Sequence, residues 1–356
     1  MLTYKKIVIL CIIILTFYIL YRLLVNRWKI QGEHLKTSIP EAMTLKESFT
    51  SKIQIQNTKN AELPLTQYCV KASFHSAYNA ATNKIDLDLL SQIVKRGVRF
   101  LDFEVYSFQG EAVVGYCSKL NPDANTIESS NDPDDVNTRL TTIFKKINME
   151  KPPELTDPLF IHLRIKSSLP ALYSKVAQAI DGAFTGVLYS NPSEGQNGKW
   201  LDVKKPLSTY RGKTIIVIDK INTTAGYTDY ADCKNSVEKC TNLNTFVNLE
   251  TGSDSCLSTT NTTVLQSRTK TLHIKDDNTT VEIDGEVPAK WAISMPNPID
   301  TSNPDIVDMI KNHGVPVVLY RFDQDDANLA KYENLFSDSS YISLTNALQK
   351  IKSGAL

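Results

Sequence analysis

A repeated change of hydrophobic period constrains this chain more than any other feature. Short β-type runs occur at 67–72, 98–106, 112–117, 159–165, 214–219, 291–295 and 315–321. Between them, segments at 86–96, 136–148, 170–184, 304–313 and 343–351 set apolar residues three and four apart, the spacing of a half-buried helix. In the first of these, Leu87, Leu90, Ile93 and Val94 share a face and Gly97 supplies the stop. Ser302 or Asn303 is placed to cap the fourth, and Pro304 suits its first turn. Strands alternating with helices imply βαβ units and a mostly parallel sheet, open or closed into a barrel. No repeat period is visible, which argues against a solenoid.

The remaining segments set the expected boundaries. Residues 7–25 carry one charge, Arg22, and their roughly nineteen residues would span about 30 Å as a helix. They are read as a single transmembrane anchor within 1–29, which implies a membrane localisation. A cleaved signal peptide is the alternative, but residues 21–28 offer no small-x-small cleavage site. Basic residues flank both ends, so the side of the membrane stays open. Residues 30–63 read as a polar stalk and 64–356 as one large α/β domain. The stretch 225–288, rich in Ser, Thr, Asn and Asp, reads as an insertion on a loop and a place for a protein partner. Within it, an alternating pair at 271–274 and 280–283 suggests a small hairpin. Lys plus Arg and Asp plus Glu both number 39, so no basic field points to nucleic acid. Cys69, Cys117, Cys233, Cys240 and Cys256 lie outside the apolar run, without CxxC or Cys/His metal spacing.

The candidate chemistry lies on two strands. In 98–106 (VRFLDFEVY), Phe100, Asp102, Glu104 and Tyr106 share one face. Two carboxylates on an apolar strand are costly unless paired, bound to a cation, or solvated at an exposed strand end. In 159–165 (LFIHLRI) the apolar face leaves Phe160, His162 and Arg164 on the other side. Polar groups on inner faces near strand C-terminal ends are where α/β barrels assemble sites. There is no GxSxG elbow, GxGxxG loop or P-loop.

These residues carry a resemblance. The segment from Ser73 to Tyr78 (SFHSAY) resembles the SHNTY-type segment of phosphatidylinositol-specific phospholipase C. The segment from Gly97 to Glu104 (GVRFLDFE) resembles that family's GCRxxELD segment. Ala112 to Cys117 falls where the family has a PVVYHGHT strand, and Arg211 to Ile218 (RGKTIIVI) is similar to its RGKILIK strand. The order and approximate spacing match over about 64–356, the insertion excluded. The resemblance implies a TIM-type (β/α) barrel of the phospholipase-C-like phosphodiesterase kind, preceded by the transmembrane helix.

It also implies site roles. In that family two histidines act as base and acid while a cation, calcium or arginine, neutralises the developing phosphorane charge. His75 falls on the first histidine in the ungapped alignment; a one-residue shift would put Phe74 there. Tyr116 stands where the second histidine is expected, and its ordinary pKa of about 10 suits it poorly to shuttle protons at neutral pH. Asp102 and Glu104 match two acidic metal ligands, while Arg164 replaces a third, a glutamate. The expectation is that Arg164 takes the cation's place and no cofactor is required, with Ca2+ as the alternative. His162, Lys213 and Lys220 are candidates to touch substrate; an internally bonded histidine and solvated lysines are the plainer readings. Two functions follow. One is a membrane-anchored, catalytically degenerate family member that binds a phosphate, a lipid head group or a partner. The other is an active phosphoric diester hydrolase cleaving phosphoinositide-type phospholipids.

Overall fold

The structure is a computed structural model. It describes residues 56–59, 61–119, 126–132, 135–190, 201–235, 240–252, 256–259, 269–277, 279–299 and 302–356. Its frame is a nine-stranded sheet. In chain order the strands are β1 (Ala72–Ser73), β2 (Phe100–Phe108), β3 (Glu111–Gly115), β4 (Leu159–Lys166), β5 (Thr214–Ile218), β6 (Val247–Glu250), β7 (Cys256–Thr259), β8 (Trp291–Ser294) and β9 (Val317–Tyr320). The order across the sheet is β7-β8-β9-β1-β2-β4-β5-β6, every pair parallel, and β3 folds back antiparallel on β2.

Chain order therefore runs around a curl that begins at β1 and would close if β6 paired with β7. It does not close, which corrects the expected closed TIM-type barrel to an open, curled parallel sheet. The reason is length. Parallel neighbours need a crossover of about a dozen residues or more, and only residues 251–255 separate β6 from β7. The two strands are left as free edges on either side of a seam. Both lie inside the polar stretch 225–288, which also forms a hairpin of Leu272–Ile274 with Val281–Ile283. Cys233 and Cys240 form a disulfide, while Cys69, Cys117 and Cys256 are buried thiols.

A second correction concerns the membrane. No helix among the described residues is long and apolar enough to cross a bilayer. The run at 7–25 lies outside the described residues. The single-pass anchor, the membrane localisation and the membrane-anchored form of the function are therefore dropped from the reading. The end of the expected stalk belongs to the fold: Thr58 is buried, and its hydroxyl donates to Asp157 Oδ2 at 2.7 Å.

The alternating pattern of the strands sorts side chains into two cores. Leu101, Phe103 and Val105 of β2 and Ile161, Leu163 and Ile165 of β4 face the helices, where they meet Ile143 and Phe144 of Leu140–Glu150 and Val176 and Ile180 of Pro170–Phe184. The helices start where the chemistry of caps puts them. Asp86 accepts the backbone N–H groups of Asp88 and Leu89, and Pro170 opens the second-layer helix. The helix expected at 304–313 is shorter, Ile306–Lys311, and is capped by Asp305. Asn303 is unavailable as its cap because its side chain brackets Arg321, accepting from the backbone N–H at 2.7 Å and donating to the carbonyl at 3.0 Å.

The opposite strand faces make an inner core of Phe100, Phe160, Val217, Leu249, Trp291 and Leu319. Trp291 closes the bottom of the curl, its ring 4.9 Å from Phe160 and 6.0 Å from Phe100, with the indole N–H donated to the Tyr68 carbonyl at 3.2 Å. Trp291→Ala is expected to destabilise the protein by about 3–5 kcal/mol, read as a shift in the urea midpoint with an unchanged slope.

Candidate functional site

Above that aromatic floor the inner faces turn polar, and the register of β2 against β4 determines who meets whom. Phe100 pairs with Phe160, Asp102 with His162, Glu104 with Arg164 and Tyr106 with Lys166. Asp102, Glu104, His162 and Arg164 have no measurable exposure. Arg164 donates from Nε to Asp102 Oδ1 at 3.0 Å and from Nη2 to Asp102 Oδ2 at 2.8 Å, a two-pronged pair. Its Nη1 donates to Glu104 Oε1 at 3.3 Å, and Lys166 Nζ approaches the same oxygen at 3.3 Å. Burial alone would lower Arg164 and raise Asp102. Their mutual attraction outweighs it, so Arg164 is held above its ordinary value and Asp102 well below the usual carboxylate range. Lys166 is pulled down by burial, against the opposing pull of Glu104.

His75 comes from the turn after β1. Its φ of 45° is left-handed, a region β-carbon-bearing residues rarely adopt. The conformation is held by β2: the His75 N–H donates to Asp102 Oδ2 at 3.0 Å, and the Ser76 N–H to the Asp102 carbonyl at 2.9 Å. The Ser76 hydroxyl in turn accepts the Asp102 N–H at 2.9 Å. The imidazole lies 3.3 Å from Arg164 Nη2 at both ring nitrogens. Burial first, and then the Arg164 charge, push His75 well below 6.5, so it is neutral at pH 7.

The expected site residues divide accordingly. His75, Asp102, Glu104, His162 and Arg164 are one contiguous cluster. His162 donates from Nδ1 to Asp102 Oδ1 at 2.7 Å, and its Nε2, 3.7 Å from Asp219 Oδ2, has no hydrogen-bond partner. Tyr116, just beyond β3, stacks on Tyr78 at 4.0 Å with its ring 5.0 Å from that of His75. Its phenol donates to the Pro298 carbonyl at 3.2 Å, and burial raises its pKa. Lys213 precedes β5 and lies at the opposite end of the sheet, away from the cluster. Lys220 follows β5 at the correct end but is exposed, 3.9 Å from Glu250.

Two members escaped the sequence reading. Lys166 lies one pleat beyond Arg164, on the inner face that the period-2 rule already defined. Arg321 directly follows β9, nearly buried, its guanidinium 5.5 Å over the Phe74 ring that Arg164 also approaches at 5.1 Å. No local motif marks Arg321; the curl brings it to the mouth.

Both Asp102 oxygens and both Glu104 oxygens already accept hydrogen bonds or ion pairs. Glu104 Oε2 takes the Cys117 N–H at 3.2 Å, and the other three are shared among Arg164, Lys166, His162 and His75. Among the described residues no cluster of three or more His, Cys, Asp or Glu has the arrangement of a metal site.

No protein-family model matches the chain, and no curated protein does. Solved structures do. PLC21 of L. pealei is 16% identical with a TM-score of 0.56, covering 82% of this chain and 39% of its own. PLC21 of S. officinalis is 15% identical with a TM-score of 0.54, covering 80% of this chain and 37% of its own. The chain has their fold. It spans well under half the length of either. A calcium-dependent phosphoinositol-specific phospholipase C from Pseudomonas sp. also aligns, with a TM-score of 0.44 and 11% identity over 82% of this chain and 99% of that one.

The neutral, buried His75 sets a pH dependence. The unfolded chain takes up a proton near its ordinary pKa of about 6.5, whereas the folded chain does not, so stability is full above that pH and falls below it. The expected slope is about 0.7 kcal/mol per pH unit at pH 6.5 and approaches about 1.4 kcal/mol per unit below it. In urea titrations this slope should flatten in His75→Gln. Asp102, whose pKa is depressed, contributes stability above about 3.9 that is lost as pH falls further, a separate window.

Proposed function

We propose that this chain is a phospholipase-C-type phosphodiesterase fold whose catalytic cation site is filled by its own Arg164, leaving a protein that recognises a phosphate-bearing ligand without hydrolysing it efficiently. The observation that carries this reading is the state of Arg164. Its guanidinium is fully buried and its donors are directed at Asp102, Glu104 and His75. A cation assists phosphoryl transfer only if it can meet charge that develops in the transition state. A guanidinium matched to resident carboxylates meets that demand poorly.

The proton inventory supports the same reading. His75 is neutral, but burial and the Arg164 charge that lower its pKa also make it a weak proton acceptor. On the resemblance, Tyr116 occupies the second histidine's place, yet its phenol is raised in pKa and engaged with Pro298. General acid-base groups typically contribute about 10²–10⁴-fold each, so an absent leaving-group acid leaves binding intact and turnover crippled. The second reading, an active phosphoric diester hydrolase, draws on one observation, the neutral His75 beside a guanidinium.

The deciding measurement is release of inositol phosphate from phosphatidylinositol by the full chain, compared with His75→Ala. The expected result is no turnover above the variant's background; turnover abolished by the substitution would establish the hydrolase instead.

The cation exchange has its own test. Arg164→Glu restores the acidic residue that the resemblance expects at this position. The variant should be strongly destabilised without metal, because three carboxylates then share a buried site. Millimolar Ca2+ should raise its thermal midpoint by several degrees while leaving the parent unchanged. Equal calcium responses in both proteins would refute the exchange.

A further inference from the structure

Arg321 differs from Arg164 in how its charge is met. Arg164 faces two carboxylates. Among the described residues Arg321 has no carboxylate within 4.0 Å, and its hydrogen-bond partners are neutral carbonyls. Its Nη2 donates to the carbonyls of Asn297 at 2.7 Å and Pro298 at 2.5 Å, while Nε is buried without a hydrogen-bond partner. Asp323, two residues on, uses Oδ2 to accept the Ala80 N–H at 2.8 Å. Among the described residues this nearly buried guanidinium is met at hydrogen-bond distance by two carbonyl oxygens, Asp323 acts on it from beyond 4.0 Å, and it lies at the mouth beside Phe74 and His75.

The segment that holds it bridges the mouth. The Pro298 carbonyl accepts from both Arg321 Nη2 and the Tyr116 phenol, so residues 297–298, which follow β8, are tied to the loop after β3. Ile299 beside them is 66% exposed, so the outer side of this strap is in solvent. Two carbonyl oxygens facing one guanidinium mimic the two oxygens a phosphate group would present.

We propose that Arg321 is an oxyanion subsite for a phosphate group, occupied at rest by the Asn297 and Pro298 carbonyls, and that ligand binding displaces this strap. The inference deepens the reading above by assigning the phosphate to Arg321 and not to Arg164. A charged oxyanion replaces two neutral acceptors, and charge-assisted bonds are about twice as strong as neutral ones. The strap therefore sets a threshold for binding and excludes neutral ligands. Tyr116 here anchors the strap and takes no part in proton transfer.

The test is calorimetric titration of the full chain with inorganic phosphate, and separately co-sedimentation with phosphatidylinositol vesicles against phosphatidylcholine vesicles. Saturable binding of inorganic phosphate identifies a free phosphate as sufficient; binding to the phosphatidylinositol vesicles alone identifies a lipid-borne phosphate. Arg321→Gln should weaken binding by at least about tenfold, whereas Arg321→Lys, which keeps the charge, should lose clearly less. Tyr116→Phe keeps the aromatic stack and releases the strap, so it should tighten binding by about two- to fivefold. Thermal midpoints of the three variants report that each is folded. Absence of binding in both arms, an unaffected Arg321→Gln, or a Tyr116→Phe that weakens binding overturns the proposal. Inositol phosphate release would overturn the non-hydrolytic reading and leave this subsite standing; loss of phosphate binding does the reverse.

Discussion

Asp102 carries more of this molecule than any other side chain. Its two oxygens receive Arg164 and His162 from β4 and the His75 backbone from the turn after β1, while its own backbone grips Ser76. One carboxylate thus ties three consecutive parts of the parallel sheet together. A buried ion pair is weak evidence for stability in itself, because desolvation offsets most of the attraction. What it supplies here is register. A slip of one residue between β2 and β4 would turn Asp102 and Glu104 toward Leu163 and Phe144 and leave the guanidinium without acceptors.

That constraint explains what could be read in advance. Once Asp102 and Glu104 shared a strand face and His162 and Arg164 shared the next, their meeting needed only parallel pairing in register. Local periodicity contained this information. It also contains Lys166, one pleat further along the same face. Other relations need more than local periodicity. Lys213 and Lys220 lie at opposite ends of β5, and only strand direction distinguishes them. Pro298, which Arg321 also holds, meets Tyr116 through the curvature of the sheet, a contact between segments 182 residues apart for which no local pattern exists.

The strands hidden in the polar stretch follow the same logic. β6 has only four residues, and in Val247-Asn248-Leu249-Glu250 two of the side chains are polar. Asn248 is buried with its polar groups used: Oδ1 accepts the Ile216 N–H at 2.9 Å and Nδ2 donates to the Tyr189 carbonyl at 3.1 Å. It repairs the irregularity where β5 and β6 shift register. A polar residue serving as a sheet component looks, in sequence, like loop. The seam beside it follows from chain length alone, since residues 251–255 are too few for a parallel return.

On the proposed reading, a guanidinium and the divalent ion it would stand in for differ in a way that bears on chemistry. Both neutralise Asp102 and Glu104. A metal ion leaves open coordination positions, so a phosphate oxygen can join the resident carboxylates without displacing them. Arginine has a fixed fork of five donors, and a geometry that directs them into two carboxylates and an imidazole has few to offer an incoming group. An exchange of a metal for Arg164, as proposed, would preserve the architecture and the charge balance while removing the adaptable part of the site. On the proposed reading an anion arriving at the mouth meets Arg321 first, whose hydrogen-bond partners among the described residues are two backbone carbonyls. On that reading the charge offered to a ligand lies at the rim of the site, where binding needs no rearrangement of the buried Asp102–Arg164 network beneath.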